Sequence, residues 1–351
     1  MSTKTIAELR CPAPIRAKDT ILLGHGSGGT LSAELIHNVF LPTLGNAVLS
    51  KLNDQATVGI GGIRLAFTTD SFVVKPLFFP GGDIGSLAVH GTINDLAMGG
   101  ATPLFLSAAF IIEEGFAIEQ LRRIVNSMHQ AAAAAGVQIV TGDTKVIEKG
   151  KGDGLFINTS GIGIVSSDVE LSADFARPGD KVLLSGPIGD HGIAILAQRE
   201  GLEFETTIES DSAALHDLVA RMLNVTRQIR CMRDPTRGGL SSALNEIAVQ
   251  SRVSIELDEA AIPIHEEVRG ACELLGLDPL YVANEGKLIA IVDPAIADDL
   301  IAEMRAHPLG REAAIIGTVT PGPSGLVTMR TWLGTTRVVD MLAGDQLPRI
   351  C

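Results

Sequence analysis

The sequence predicts an α/β protein of two domains. A chain of 351 residues is long enough to bury two cores. Short apolar runs with strand spacing alternate with longer runs whose apolar residues recur at helical spacing. The character of the chain then changes at Phe175-Ala-Arg-Pro-Gly-Asp180, a turn-rich stretch that leads into a new strand. These observations set an N-terminal domain over residues 19–175 and a C-terminal domain over 176–340. An arm precedes them at 1–18 and a tail follows at 341–351.

Residues 56–67 read as a hairpin, with Val58, Ile60, Ile63, Leu65 and Phe67 turning at Gly61-Gly62. Asp83 has the place of a helix N-cap, and Ile84, Leu87, Ala88 and Gly91 then share one helical face. Residues 103–112 are a buried strand, and 118–135 a second helix that Gly136 stops. Residues 137–140 form a short strand, with Thr141-Gly-Asp-Thr-Lys145 following it, and 156–165 another. In the second half, helices are expected near 193–200, 215–223, 239–250 and 266–275, and strands at 181–185, 253–257 and 288–292. A last hairpin pairs 327–330 with 337–339. The tail holds one Gly and one Pro and lacks helical periodicity, so a mobile segment is expected there.

Composition narrows the function. Apolar residues make up 46% and charged residues 20%, the profile of a globular protein. The formal charge of −13 gives no surplus of Lys and Arg to displace counterions, which argues against nucleic acid as a partner. The longest apolar stretch, 104–112, is too short to span a bilayer, and residues 1–18 lack the pattern of a secretory signal. A cytoplasmic location is expected.

Cys11, Cys231, Cys272 and Cys351 are scattered without metal-ligand or disulfide spacing. Only Cys351 is oddly placed, at the end of a polar tail where an exposed thiol is a liability, and this favours function over accident. The 38 glycines come in clusters, among them 24–29, 59–62, 99–100 and Gly238-Gly239, and such clusters allow close backbone approach to a ligand and offer N–H groups to anions. No GxxxxGKS loop or strand-borne GxGxxG is present.

Polar residues among these glycines carry the candidate chemistry. Asp70 follows a strand, Asn94-Asp95 sits in an apolar helix where an unpaired acid is costly, and Asp143 stands beside Lys145. Magnesium takes a few carboxylates together with phosphate oxygens, so Asp70, Asp95 and Asp143 are the metal candidates. Asp83 lies about 18 Å from Asp95 along one helix and is read as a cap near phosphate. Asn94, Thr141, Asp143 and Thr144 are nucleotide-site candidates. So are Asp234, Arg237, Gly238 and Gly239, which open a helix with free N–H groups and a guanidinium.

The runs HGSGGT, TTDSFVV, PGGDIG, GTINDLAMGGATP, TGDTKV, MRDPTRGGL, NEGK and the terminal LPRIC together resemble the HypE family of hydrogenase maturation factors over nearly the whole chain beyond about residue 20. The resemblance implies a fold like aminoimidazole ribonucleotide synthetase, with two α/β domains and N-terminal sheets pairing in a homodimer. It implies that Cys351 accepts a carbamoyl group from the carbamoyltransferase HypF. It also implies that ATP, with Mg2+, dehydrates this thiocarboxamide to a thiocyanate, which supplies cyanide to the iron of [NiFe]-hydrogenase on a HypC–HypD scaffold. By motif match the catalytic lysine and glutamate fall on Lys145 and Glu285. Which of the two takes the nitrogen protons is left open.

Two rivals stand beside this reading. A selenophosphate or purine-pathway synthetase would keep the ATP site, but HGSGGT has no reactive cysteine and a purine enzyme needs no terminal thiol. A non-catalytic carrier would use Cys351 as a handle and ATP only as a switch.

Overall fold

The computed structural model describes residues 20–202, 208–344 and 350–351. The expected arm at 1–18, with Cys11, and tail residues Leu347 and Arg349 lie outside them. Among the described residues no helix is long and apolar enough to cross a membrane.

The first domain opens with α1 (Thr30–Leu35) and α2 (Leu41–Leu44). The hairpin β1 (Ala56–Ile60) and β2 (Ile63–Phe72) follows, with Ile60 opposite Ile63. Gly61 and Gly62 between them have φ of 59° and 85°, the left-handed pair that a two-residue turn demands. Two short pieces, β3 (Phe78–Phe79) and β4 (Gly82–Asp83), lead into α3 (Ile84–Met98). Next come β5 (Ala101–Glu113), α4 (Ile118–Ala134), β6 (Gln138–Ile147) and β7 (Leu155–Val165). The sheet order is β1-β2-β7-β5-β6; β5 and β6 run parallel through the α4 crossover, and the other neighbours are antiparallel.

This sheet has two unlike faces. Along β7 the side chains of Leu155, Ile157, Thr159 and Val165 are buried, and α3 packs across that inner face. On the outer face Phe67, Phe105, Ile111, Ile162 and Ile164 are exposed. Helix α3 buries 12 of its 15 residues because it lies between the sheet and the second domain.

The second domain contains β8 (Lys181–Leu184), α5 (Asp190–Glu200), α6 (His216–Val225), β9 (Ile229–Arg233), α7 (Gly239–Ser251) and β10 (Ser254–Asp258). Then follow α8 (Glu266–Leu275), β11 (Ile289–Val292), α9 (Pro294–Arg305), β12 (Ala314–Thr320), β13 (Leu326–Arg330) and β14 (Thr336–Val338). Its sheet order is β14-β13-β10-β12-β8-β11-β9. One apolar cluster crosses between the domains: Leu96, Met98, Ala101 and Val165 pack with Leu218, Met222 and Leu223 of α6.

The expected strand at 137–140 extends to Ile147, so Thr141 to Lys145 lie within β6 and do not follow it. Asp70 likewise sits inside β2. In both cases polar residues replaced the apolar alternation that marks a strand, on both faces of β2 and on the outer face of β6. The elements β9, α9 and β12 were not anticipated.

Met222 is fully buried in the shared cluster, so Met222→Ala should cost about 2–5 kcal/mol. Because the cluster belongs to both domains, chemical denaturation followed by tryptophan fluorescence and by circular dichroism should show one shared transition that shifts as a unit.

Candidate active site

The glycine loop near the start of the described chain is nested against two other segments. Gly28 has φ of 73°, and a Cβ there would overlap the carbonyl oxygen of Arg237; one on Gly29 would overlap that of Leu342. Thr30 N donates to Leu342 O at 2.8 Å, and Ser27 Oγ to Gly344 O at 2.8 Å. These glycines therefore serve close approach of the chain to itself. Gly238 and Gly239 do the same: side chains there would strike Ser242 Oγ and the Leu280 carbonyl.

The end of the chain is seated. Ile350 is buried, its carbonyl accepts from His191 Nε2 at 2.7 Å, and Val73 N donates to Cys351 O at 2.9 Å. The described part of the expected mobile tail is thus docked, at 342–344 on the glycine loop and at 350–351 inside the molecule. Cys351 reaches a cavity of about 250 Å³ that Asp54, Asp70, Asp95, Arg233, Asp234, Arg237, Glu246 and Glu285 also line.

Acids crowd this cavity. Burial raises Asp95 well above the ordinary carboxylate range, and the neighbouring Asp234, Asp70 and Asp54 raise it further. Burial and Asp54 push Asp234 up to about 8. Burial also raises Asp54 and Asp70, against the pull of Arg233 and Arg237 respectively. Arg233 is already paired within this lining, with Asp54 at 3.3 Å and Glu246 at 2.7 Å. Asp95 has a hydroxyl donor, Thr68 Oγ1 at 2.7 Å.

Glu285 and Cys351 meet here. The Glu285 carboxylate lines the cavity with the thiol, and burial, first of all, pushes that thiol's pKa up, so the seated sulfur is a protonated thiol. Burial, then Asp234, Asp70 and Asp211, hold Glu285 well above its usual range. Its buried Oε1 has no hydrogen-bond partner.

Of the residues expected in the site, the structure gathers Asp70, Asp95, Asp234, Arg237, Glu285 and Cys351 around one cavity. Others stand apart. The Asp83 carboxylate is spent on its own helix, accepting from Gly85 N at 2.7 Å and Ser86 N at 3.1 Å. Asn94 is spent on backbone: Nδ2 donates to Ala213 O and Glu285 O, and Oδ1 accepts from Leu215 N.

Thr141, Asp143, Thr144 and Lys145 lie on the exposed strand β6 at the edge of the sheet. Asp143 aligns through Ala109 and Asn158 with Ser71, three strands away, or roughly 14 Å. It points to the outer face, whereas Asp70, paired with the buried Thr159, points to the inner one. Asp143 therefore cannot share an ion with Asp70 and Asp95 within one chain. Lys145 is bound to Asp143 at 2.6 Å on that outer face, so the Lys145–Glu285 pair is not formed within one chain either.

Sequence reading missed Asp54, Arg233 and Glu246. Asp54, next to Asn53 in the stretch before the hairpin, looks like any turn residue. Arg233 beside Asp234 was the one signal available.

Comparisons with known proteins agree with this architecture. Residues 52–165 match the N-terminal domain, and 177–330 the C-terminal domain, of AIR synthase related proteins. A carbamoyl dehydratase HypE from Cupriavidus necator is 60% identical over 330 residues, covering 94% of each chain. A crystal structure of HypE in complex with ATP is 51% identical, with a TM-score of 0.80, and covers 95% of this chain and 100% of that one. A HypE–HypF complex is 50% identical, with a TM-score of 0.83, over 88% of this chain and 99% of that one.

The raised Asp234 has a consequence for stability. A carboxyl whose folded pKa is about 8 binds a proton that the unfolded chain, with an ordinary value near 4, has already released. Stability should fall as pH rises from about 4 through about 8. In metal-free buffer, melting temperature measured from pH 5 to 8.5 should decline. Asp234→Asn should flatten the decline and melt higher than the parent at pH 8.5; a steeper slope in the variant would contradict the electrostatics.

Proposed function

This chain belongs to the HypE family of carbamoyl dehydratases, and we propose that it uses ATP to remove water from a carbamoyl group carried on the Cys351 sulfur. The supporting observation is the Cys351 thiol itself, seated in a cavity with Glu285, Arg237 and four aspartates. A relative solved with ATP supports the nucleotide as co-substrate.

The chemistry asks for charge control and a base. A carboxamide oxygen leaves poorly as hydroxide and well as phosphate. The oxygen attacks the γ-phosphorus of ATP, ADP departs, and one nitrogen proton is lost. Breakage of the C–O bond then releases phosphate with loss of the second nitrogen proton, leaving S–C≡N. Glu285 is the base: next to the sulfur, with a free buried oxygen, it exchanges a proton in a higher pH range than an ordinary carboxylate does. Arg237, which lines the same cavity near Asp70, binds the phosphoryl oxygens.

The acid cluster fits a divalent cation by charge. Burial first, and then the charges of Asp54 and Asp70, raise the proton affinity of Asp95 and Asp234, and a bound cation would relieve that crowding. Among the described residues no three such groups already converge on one point. Mg2+, held by Asp70, Asp95 and Asp234, would neutralise the triphosphate and the developing charge of phosphoryl transfer.

The remaining roles extend beyond one chain. HypF supplies the carbamoyl group and a HypC–HypD scaffold takes the cyanide during hydrogenase maturation; a relative solved with HypF supports the first partner. The seated thiol is protonated, a poor nucleophile, so loading requires the tail to swing out. The exposed apolar outer face of the first sheet suits a second copy of the chain, and Lys145 takes part only from such a homodimer.

Cys351→Ala should bind ATP and accept no carbamoyl group, as read by intact mass. Glu285→Gln should keep ATP affinity and lose dehydration by roughly 100-fold or more in single turnover, because an amide takes no proton. Asp95→Asn should instead weaken Mg2+-dependent ATP binding, measured by calorimetry with and without the ion. Unchanged binding would remove Asp95 from the cation site.

A further inference from the structure

We propose that Asp211 is a positioning residue for Glu285, and that the 208–215 segment transmits the seating of the chain's last residues to that carboxylate. The proposal rests on the reading of Glu285 as the base.

Asp211 uses both carboxylate oxygens on the Glu285 turn. Oδ1 accepts from Glu285 N at 3.0 Å, and Oδ2 from Gly286 N at 3.3 Å and Lys287 Nζ at 3.0 Å. The two side chains of this ion pair are only 4% and 11% exposed. Lys287 keeps Asp211 ionised, its carboxyl lying below the ordinary range although burial opposes this. A buried ion pair adds little stability over an apolar one. What this pair does supply is a fixed path for three consecutive residues.

The turn also lies flat on the segment, since a Cβ on Gly286 would overlap the Asp211 carbonyl oxygen. From the other side Asn94 Nδ2 ties Glu285 O at 3.2 Å and Ala213 O at 3.0 Å together, and Ala213 N donates to Glu285 O. Both backbone polar groups of Glu285 are therefore held by the segment or by its clamp.

One residue earlier, the same segment reaches the chain's end through His191. Ser210 Oγ accepts from Ser212 N at 3.1 Å and meets His191 Nδ1 at 2.7 Å. Its proton goes to the imidazole, which leaves Nε2 as an N–H donor to the Ile350 carbonyl at 2.7 Å. His191 is fully buried in a T-shaped contact with Phe79, and burial lowers its pKa, which suits the neutral ring. A continuous path thus runs from the Ile350 peptide through His191, Ser210 and Asp211 to Glu285.

The test uses the full chain, with Cys351 carbamoylated for turnover and free for labelling. Asp211→Asn should slow single-turnover dehydration by roughly 10- to 100-fold, the effect of a small misplacement of a catalytic group, while KM for ATP stays within about twofold. Ser210→Ala, which removes one hydroxyl, should speed maleimide labelling of Cys351, read by peptide mass, and slow dehydration. Wild-type rates in both variants would overturn the proposal, as would parallel loss of rate and ATP affinity, which marks mere structural damage. If Asp211→Asn fails to fold, Ser210→Ala decides alone by the same two readouts. Full dehydration by Glu285→Gln would instead refute the underlying base assignment, whereas an inactive Glu285→Gln beside a fully active Asp211→Asn would refute this proposal only.

Discussion

Helix α3 has almost no solvent face, and much of the molecule follows from that. It is sandwiched between the first sheet and the second domain, so each polar group it carries must find a partner inside the protein. Asp83 satisfies its first turn, and Thr92 bonds Thr159 on β7. Asn94 reaches across to the second domain's backbone, and Asp95 takes the Thr68 hydroxyl. A helix that must satisfy its polar residues on both sides cannot be moved relative to either domain without breaking several bonds at once. It thereby fixes the separation of the Asp70 strand from the Glu285 turn.

That rigidity accommodates an unfavourable cluster. Four aspartates and two glutamates face one small cavity with Arg233 and Arg237 among them, and Arg233 is already paired with Asp54 and Glu246. Like charges held this close protonate instead of relaxing apart, because the elements that carry them are packed in apolar clusters. The chain tolerates electrostatic strain here that a site selected for stability alone would lack.

How much of this was legible in the sequence depended on what kind of signal each residue leaves. The Gly61-Gly62 hairpin and the Asp83 cap were readable because turn and cap chemistry is local. Helix α8 came out at its observed bounds because its apolar face keeps strict helical spacing. Strand β6 came out too short because it is an exposed edge whose outer face carries Thr141, Asp143 and Lys145, so it lacks the apolar alternation of a strand. Asp54 and Asp211 left no trace, since each is a single acid in an irregular segment whose importance arises from residues far along the chain. The glycine loop was expected to let a ligand approach closely, but the fold shows that what approaches Gly28 and Gly29 is the protein's own backbone.

The clasp between that loop and the tail sets a length. Thr30 and Ser27 fasten the chain at Leu342 and Gly344, so the pivot for the Cys351 sulfur lies there and not at the end of the last strand. Seven residues follow Gly344, and fully stretched they reach about 25 Å. Any donor that loads the sulfur while the clasp holds must bring its own catalytic centre within that radius. On the proposed reading the tether acts as a ruler, and a partner would have to press its active site close to the glycine loop before a group could change hands.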